Sequence, residues 1–571
     1  MQRTTRQVAA RRVREAAAEA AFLRPHPPHA ANGDEIRYRN AANQLSYIGN
    51  FSKGLPHTNL GEVDPAAYRA LLRALTSGDP REFEAIPLDP AIMHHTLFTS
   101  PQAGLAFDLE GADGAALAIP PAPRLDSARE AGEMAELYWM SLLRDSNFAT
   151  FAGNVGPVSV AAAAADLSAF SDFVGPKVGG NVTPATIFRG DTPGDLAGPF
   201  VSQFLLAGND DPVLGRTHSS GYVKYGTISI DQRQTTARAG TDYLTAFADW
   251  LTVQRGESRP TPLAHYDPTP RFIRNMRDLA NWVHLDALYE AYLDACLLLL
   301  GLGAPFDPGN PYQGSKTQKG FATFGGPHIL SLVTEVATRA LKAVWFQKWY
   351  VHRRLRPEEF GGLMHNHKTG AAHYPIHAEL LNSAALPAVF AAHGAYLLPQ
   401  AFPEGCPTHP SYGAGHATVA GACATILKAW FDESWVLPFD ALIADATGTN
   451  LVPYPGADKR LTVGGELNKL AANIASARNM AGVHWRTDYS ASVRLGEQIA
   501  ISVLQEQKLT YNEEFSLTID RFDGTSITNG RVGIARRTGL YRSPRETVLS
   551  DTQRGFRQAQ PKLCRCNASG L

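Results

Sequence analysis

Three short stretches, set far apart in the chain, gather side chains suited to holding an oxoanion. The first is KWYVHRRLRP, residues 348–357. Lys348 stands near the end of an apolar-striped segment, and Pro357 restricts Arg356 to extended backbone, so the helix stops there. Eight helical residues rise about 12 Å, which lets the ammonium and guanidinium heads meet beyond the helix end. Alone, this stretch also reads as a solvated basic face, because His352, Arg353 and Arg354 crowd it. The second is HPSYGAGHATVAG, residues 409–421. Gly413 and Gly415 permit backbone angles closed to other residues and let the chain approach a ligand. The free N–H groups of the helix that follows point at a bound anion, with the helix dipole in support. His416 stands at that mouth. The third is SARNMAGVHWRTD, residues 476–488. Here Arg478 ends a helix, Gly482 breaks it, and His484 follows. Asp488 lies one turn further and can accept the second imidazole N–H, fixing the tautomer.

Taken together the blocks make a stronger case. Lys348, Arg356 and Arg478 sit at ends of apolar helices, where their heads are partly buried. Buried cations without counter-charges are unfavourable, and no carboxylate precedes Glu358 in the first block. A bound dianion would resolve this. A unit-charge pair at 4 Å and an effective dielectric near 20 interacts by about 4 kcal/mol. His484 would bond to the anion's central atom, and His416 would exchange protons with one of its oxygens.

The elements that must position these residues are mostly helical. The apolar stripe Ile329, Val333, Val336, Ala340 and Val344 predicts a helix from Pro327 to about Arg354. A second begins near His416 with Val419, Cys423, Ile426, Leu427 and Trp430 on its inner face; others cover about Glu466–Met480 and Thr487–Gln507. In the first half, 127–145, 240–256 and 276–301 carry helical periodicity. Strand-type alternation is rare, and GYVKYGTISID (221–231) is the best hairpin candidate. The expected fold is mainly α: two helical bundles of the four-helix type, with long loops and minor β-hairpins. The expected division is a loop-rich N-terminal region over 1–125, a first bundle over 126–305, and a second bundle over 306–571 that carries the anion site. The tail after 510 reads as polar and turn-rich.

Composition narrows the classes. The chain has 571 residues, 44% of them hydrophobic, with 53 Lys and Arg against 54 Asp and Glu. That balance gives no sign of a nucleic-acid partner, so any positive site is local. Cys296, Cys406, Cys423, Cys564 and Cys566 form no disulfide framework. The CRC at 564–566 reads as an unstructured tail, with an inter-chain bridge or metal site as the alternatives. No apolar run approaches the roughly 18 residues of a membrane span. The Arg- and Ala-rich start lacks an apolar signal core; it reads as a surface helix or frayed arm, with an arginine-rich targeting peptide as the alternative. A soluble, cytoplasmic protein is expected.

The three blocks, in this order and spacing, resemble the vanadate-dependent haloperoxidases and their relatives, the type 2 phosphatidic acid phosphatases. The stretches 321–349 and 49–64 look like the larger algal and cyanobacterial bromoperoxidases, so the resemblance covers most of the chain. It implies vanadate held by Lys348, Arg356, Arg478 and the Gly415 N–H, with His484 as the ligand to vanadium. It implies His416 as acid–base residue, Lys348 as the group that polarises the bound oxidant, and His409 as a residue that tunes halide use. The implied reaction uses hydrogen peroxide to oxidise bromide, also iodide and possibly chloride, to a hypohalous-acid equivalent that halogenates a small organic nucleophile. Homo-oligomers, from dimer to dodecamer, are implied as well. The chain departs from the family at Ala414, where a serine hydroxyl is missing, and at Ala477, with Ser476 one place earlier. Gln347, beside Lys348, is a neighbour that influences halide choice in the family. Asp307 and Asn310 suggest a structural calcium loop, as in some relatives.

Two other functions suit the same residues. A soluble acid phosphatase of the same superfamily would use His484 as nucleophile. A non-enzymatic anion-binding or storage oligomer would use the cage alone. HNHKTGAAHYPIH (365–377) holds four histidines, but Pro375 separates His373 from His377. A loop or channel lining is the reading there, with zinc as the alternative, and His94–His95 reads as a packed or surface pair.

Overall fold

The computed structural model describes residues 3–531. Eight helices position the site: α1 (Ala128–Leu142), α2 (Met276–Trp282), α3 (Glu290–Leu302), α4 (Gly326–Phe346), α5 (Pro357–Thr369), α6 (Gly415–Trp430), α7 (Val463–Met480) and α8 (Arg486–Gln507). The fold is mainly α, and its sheets are antiparallel pairs, including β1 (Tyr222–Tyr225) with β2 (Ile228–Asp231) and β3 (Phe515–Asp520) with β4 (Ser526–Arg531). The hairpin expected over 221–231 is therefore present. Part of the tail expected to be turn-rich pairs instead as β3–β4, in register from Phe515↔Arg531 to Asp520↔Ser526. Phe515, Leu517 and Ile519 alternate inward along β3, a period of two that the polar residues between them mask. The Cys564 and Cys566 reading lies outside the described residues. Among the described residues, no helix is long and apolar enough to cross a membrane.

Local chemistry sets the helix starts. Ser127 caps α1 by accepting the Glu130 N–H, and Thr462 caps α7 by accepting that of Gly465. Pro357 opens α5, where a missing N–H does no harm. The α6 start is different: Ala414 stands at the cap position and offers no side-chain bond.

The apolar stripe of α4 is buried as expected. Helix α6 is not amphipathic, because almost its whole circumference is buried among α4, α7 and α8. Its contact with α8 runs through glycine. A Cβ at Gly421 would lie 1.9 Å from the Val493 carbonyl, and one at Gly496 would lie 1.9 Å from that of Thr418. The backbones of α6 and α8 therefore touch directly.

The periodicity over 276–301 does not give one helix. The chain leaves helix after Trp282 and re-enters it at Glu290. The intervening turn carries His284 and Asp286, whose partners, Glu404 and His416, lie more than a hundred residues away. Likewise, 240–256 is helical only over Phe247–Gln254.

Candidate active site

The first block lies where α4 continues into a wider π-helical turn over Gln347–His352. Lys348 is fully buried there, and its Nζ donates to the carbonyls of Pro410 (2.7 Å) and Ser411 (2.9 Å). Arg356, in the extended conformation expected before Pro357, reaches both other blocks. Its Nε donates to the His409 carbonyl (2.8 Å) and its Nη1 to that of Val483 (2.7 Å). The same Nη1 lies 3.1 Å from His484 Nε2, and Nη2 lies 2.9 Å from His409 Nδ1. Arg478, near the end of α7, donates to the Val283 carbonyl (2.8 Å) and lies over the Phe402 ring. Its Nε is buried without a partner.

None of these cations forms an ion pair among the described residues. The surrounding carboxylates have other hydrogen-bond partners: Glu358 binds Lys53 (3.1 Å), Glu359 accepts the backbone N–H groups of Arg356 and Ser52, Asp488 binds Arg354 (2.8 Å), and Asp286, whose charge also acts on Arg478, pairs with His416 (2.8 Å). Burial, reinforced by Arg356 and Arg478, holds the Lys348 ammonium well below its ordinary pKa. Burial likewise lowers Arg356, and burial with Arg356 as neighbour lowers Arg478 to about 10. Positive charge is thus concentrated beyond what the protein itself neutralises, the condition that an anion relieves.

His484 completes the arrangement. Its Nδ1 lies 2.7 Å from Asp488 Oδ2, which also accepts the Trp485 N–H (3.2 Å) and the Ser411 hydroxyl. A carboxylate oxygen that also accepts the Trp485 N–H acts as acceptor to the ring, which assigns the proton to Nδ1 and leaves the lone pair on Nε2. Burial, then Arg356, Lys348 and Arg478, keeps the imidazole far below its ordinary pKa, so the ring is neutral. His409 is held neutral in the same way by burial, Lys348 and Arg356, and packs against Trp345 at 5.0 Å between centroids.

His416 is the second residue of α6, and its Nε2 lies 2.8 Å from Asp286 Oδ1. Burial raises the Asp286 pKa, but His416 and Arg478 outweigh it and the carboxyl stays ionised. Gly415 opens α6, so its N–H has no acceptor within the helix. The expected unusual glycine angles are not found: neither Gly413 nor Gly415 is in the left-handed region. Space is the reason for Gly413, where a Cβ would lie 2.6 Å from Ser492 Oγ.

Other expected residues are placed as follows. Ala414 is buried at the α6 cap, and Ala477 is buried in α7, where the Ser476 hydroxyl returns to the Ala472 carbonyl. The Gln347 side chain donates to the Leu117 carbonyl (2.8 Å), so it is spent on the 114–117 loop. Asp307 accepts the N–H groups of Gly309 and Thr518, which ties β3 down. Around the histidine-rich loop, His367 Nδ1 accepts the Tyr374 N–H and His377 Nδ1 that of Glu379. His352, Arg353 and Arg354 do not form a solvated face: His352 and Arg354 are buried, and Arg353 pairs with Glu35.

The residues that escaped sequence reasoning are Asp286, Ser411, Arg354 and the Glu130–Glu133 pair. Asp286 was hidden in apparently continuous helical periodicity. Glu130 and Glu133, three apart in a mostly apolar helix, were the available signal for a buried charge partner.

The arrangement can therefore bind a tetrahedral oxoanion through buried cations and an open helix N-terminus. It can supply a neutral imidazole lone pair to the central atom, with a second imidazole on a carboxylate beside it. A family model described as the VCPO second helical-bundle domain matches residues 382–513. A vanadium-dependent bromoperoxidase of Corallina pilulifera is 42% identical, with 90% of this chain and 97% of the relative covered. One of Ascophyllum nodosum is 36% identical over 84% of this chain and 86% of the relative. The solved homohexameric structure of the second vanadate-dependent bromoperoxidase from Ascophyllum nodosum superposes with a TM-score of 0.83, at 30% identity, covering 93% and 91% of the two chains.

Proposed function

The chain belongs to the vanadium-dependent bromoperoxidases, and from that premise we propose that Lys348, Arg356, Arg478 and the Gly415 N–H hold vanadate, with His484 Nε2 as its ligand. The enzyme is a vanadium-dependent haloperoxidase whose substrates are hydrogen peroxide and a halide. The observation that carries the site assignment is the set of three buried cations without carboxylate partners, beside an imidazole whose Nε2 lone pair is free of a proton. These residues fit the group: the cations match its oxygens, the unpartnered Arg478 Nε is a spare donor, and the neutral ring is a ligand.

Bound vanadate would supply a Lewis-acidic centre that renders a peroxide oxygen electrophilic toward halide without changing oxidation state. The rest of the chemistry belongs to the chain. His416 gives its Nε2–H to Asp286, so its Nδ1 holds the lone pair and receives the proton of the incoming peroxide. Asp286, ionised, stabilises the imidazolium that results. That proton is then available to the oxygen that leaves as water. Lys348, Arg356 and Arg478 keep the site positive, which draws bromide in and stabilises negative charge on oxygen. Trp345 and the neutral His409 form an apolar, weakly hydrated flank against Lys348 suited to a large, polarisable halide. The oxidised halide then reacts with a small organic nucleophile. The homohexameric Ascophyllum relative supports a homo-oligomer here too.

The phosphatase reading uses the same cage, but the relatives matched along most of the chain are bromoperoxidases. The test is reconstitution of metal-free protein with vanadate, followed by bromide- and peroxide-dependent halogenation of a phenolic dye. His484→Ala is expected to fold and to lose this activity. Turnover equal to wild type in that variant would overturn the ligand assignment.

A further inference from the structure

Behind His484 lies a second buried charge cluster that reaches the first half of the chain. Arg354 Nη1 donates to Asp488 Oδ1 (2.8 Å) and to the Thr487 hydroxyl (2.8 Å). Its Nη2 donates to Glu130 and, at 3.2 Å, to Glu133 Oε2, both on α1. Thr487 in turn donates to Glu133 Oε2 (2.9 Å). The side chains of Arg354, Glu130, Glu133 and Asp488 are wholly excluded from solvent. The guanidinium carbon also lies over Trp485, 4.7 Å from the ring centroid, and Trp485 directly follows His484.

We infer that Arg354, anchored by Glu130 and Glu133, is a positioning residue that orients the Asp488 carboxylate, and through it directs His484 Nε2 toward vanadium. The inference rests on the reading of His484 as the vanadium ligand. The geometry divides the labour between the two Asp488 oxygens. Oδ2 is occupied by His484 Nδ1–H, the Ser411 hydroxyl and the Trp485 N–H, while Oδ1 is bound by Arg354. Without a donor at Oδ1, a buried carboxylate can rotate about χ2, and the His484 ring would follow its acceptor. The rigid guanidinium fork prevents this by binding across two elements at once. Arg354 also sets a positive charge against the Asp488 carboxylate, which lies at zero exposure. Glu130 and Glu133 hold the fork from the far side, so the ring's direction is set by α1, more than 200 residues upstream.

A comparison of two anions separates orientation from general support. Vanadium accepts the imidazole lone pair, whereas phosphorus in phosphate does not, so phosphate depends on the cation cage alone. Vanadate and phosphate dissociation constants would be measured on the full-length apoprotein, by equilibrium dialysis and by competition. Arg354→Met is expected to weaken vanadate by about 10–100-fold, the usual consequence of removing an outer-shell partner, and to move phosphate by less than about threefold. Asp488→Asn is expected to weaken vanadate similarly, and the double variant to be no weaker than the worse single one. Should Arg354→Met fail to fold, Arg354→Lys is read instead, with a smaller but still vanadate-selective loss. Equal losses for both anions, or additive effects of Arg354 and Asp488, would overturn the positioning role. Wild-type protein that binds vanadate no better than phosphate would overturn the ligand reading itself, and the inference with it.

Discussion

At the scale of single residues, Ala414 is the most informative departure. It occupies the cap position of α6, next to Gly415 and His416, and offers no hydrogen bond there. A serine would add a hydroxyl able to bond a first-turn N–H or an oxygen of the anion. Restoring it should contribute about 1 kcal/mol, or roughly a fivefold tighter vanadate dissociation constant. Titration of apo Ala414→Ser with vanadate tests this; an unchanged constant would mean that neighbouring donors already satisfy the oxygen. Asp286 presents the opposite case, a residue present but easily overlooked. Its Oδ1 accepts from His416 and its Oδ2 is buried without a partner. Asp286→Ala should release the His416 ring and lower kcat by about 100-fold, the lower end of a general acid–base contribution. Vanadate affinity should stay close to wild type, since no cage cation depends on Asp286 for a hydrogen bond. A parallel loss of affinity would show that Asp286 shapes the cage itself.

At the scale of elements, the site is set by how α6 and α8 meet. One begins with Gly415 and His416, and the other follows His484 and carries Asp488 in its first turn. Their crossing has no space for a side chain at Gly421 or Gly496, where an added Cβ would lie 1.9 Å from a carbonyl oxygen of the other helix. Gly421→Ala must push the helices apart. Overpacking of this kind costs about 1–3 kcal/mol, and here the displacement also separates His416 from His484. The variant is expected to show a lower thermal midpoint together with vanadate affinity reduced by about tenfold or more. A stable variant with unchanged affinity would show that the crossing does not govern the site. In the sequence these glycines are only small residues within two helical segments, because close approach is a property of two helices and leaves no mark on the periodicity of one.

For the whole molecule, the legible features were those decided by near neighbours. Pro357 fixes Arg356 as extended, Gly415 opens a helix, and Asp488 lies one turn from His484, so the cage could be read from its three blocks. The break at 283–289 and the Arg354–Glu130–Glu133 cluster could not, because they answer to partners more than a hundred residues away. The same long-range assembly has a thermodynamic consequence. Folding buries Lys348, Arg356 and Arg478 without ion-pair partners among the described residues, and burial lowers the pKa of each. At neutral pH the apoprotein therefore carries an electrostatic penalty that an anion removes, and the anion binds only the folded state. Vanadate at a hundred times its dissociation constant should add about 2.7 kcal/mol, a rise in thermal midpoint of roughly 2 °C for a chain of this size. Lys348→Met removes one charge while keeping most of the buried chain length. Its apoprotein should melt no lower than wild type, because loss of the Pro410 and Ser411 hydrogen bonds is offset by relief of repulsion. Its vanadate-induced rise should fall to less than half. A clear drop in the midpoint of apo Lys348→Met, with the vanadate shift intact, would mean that Lys348 serves the 410–411 loop rather than the anion.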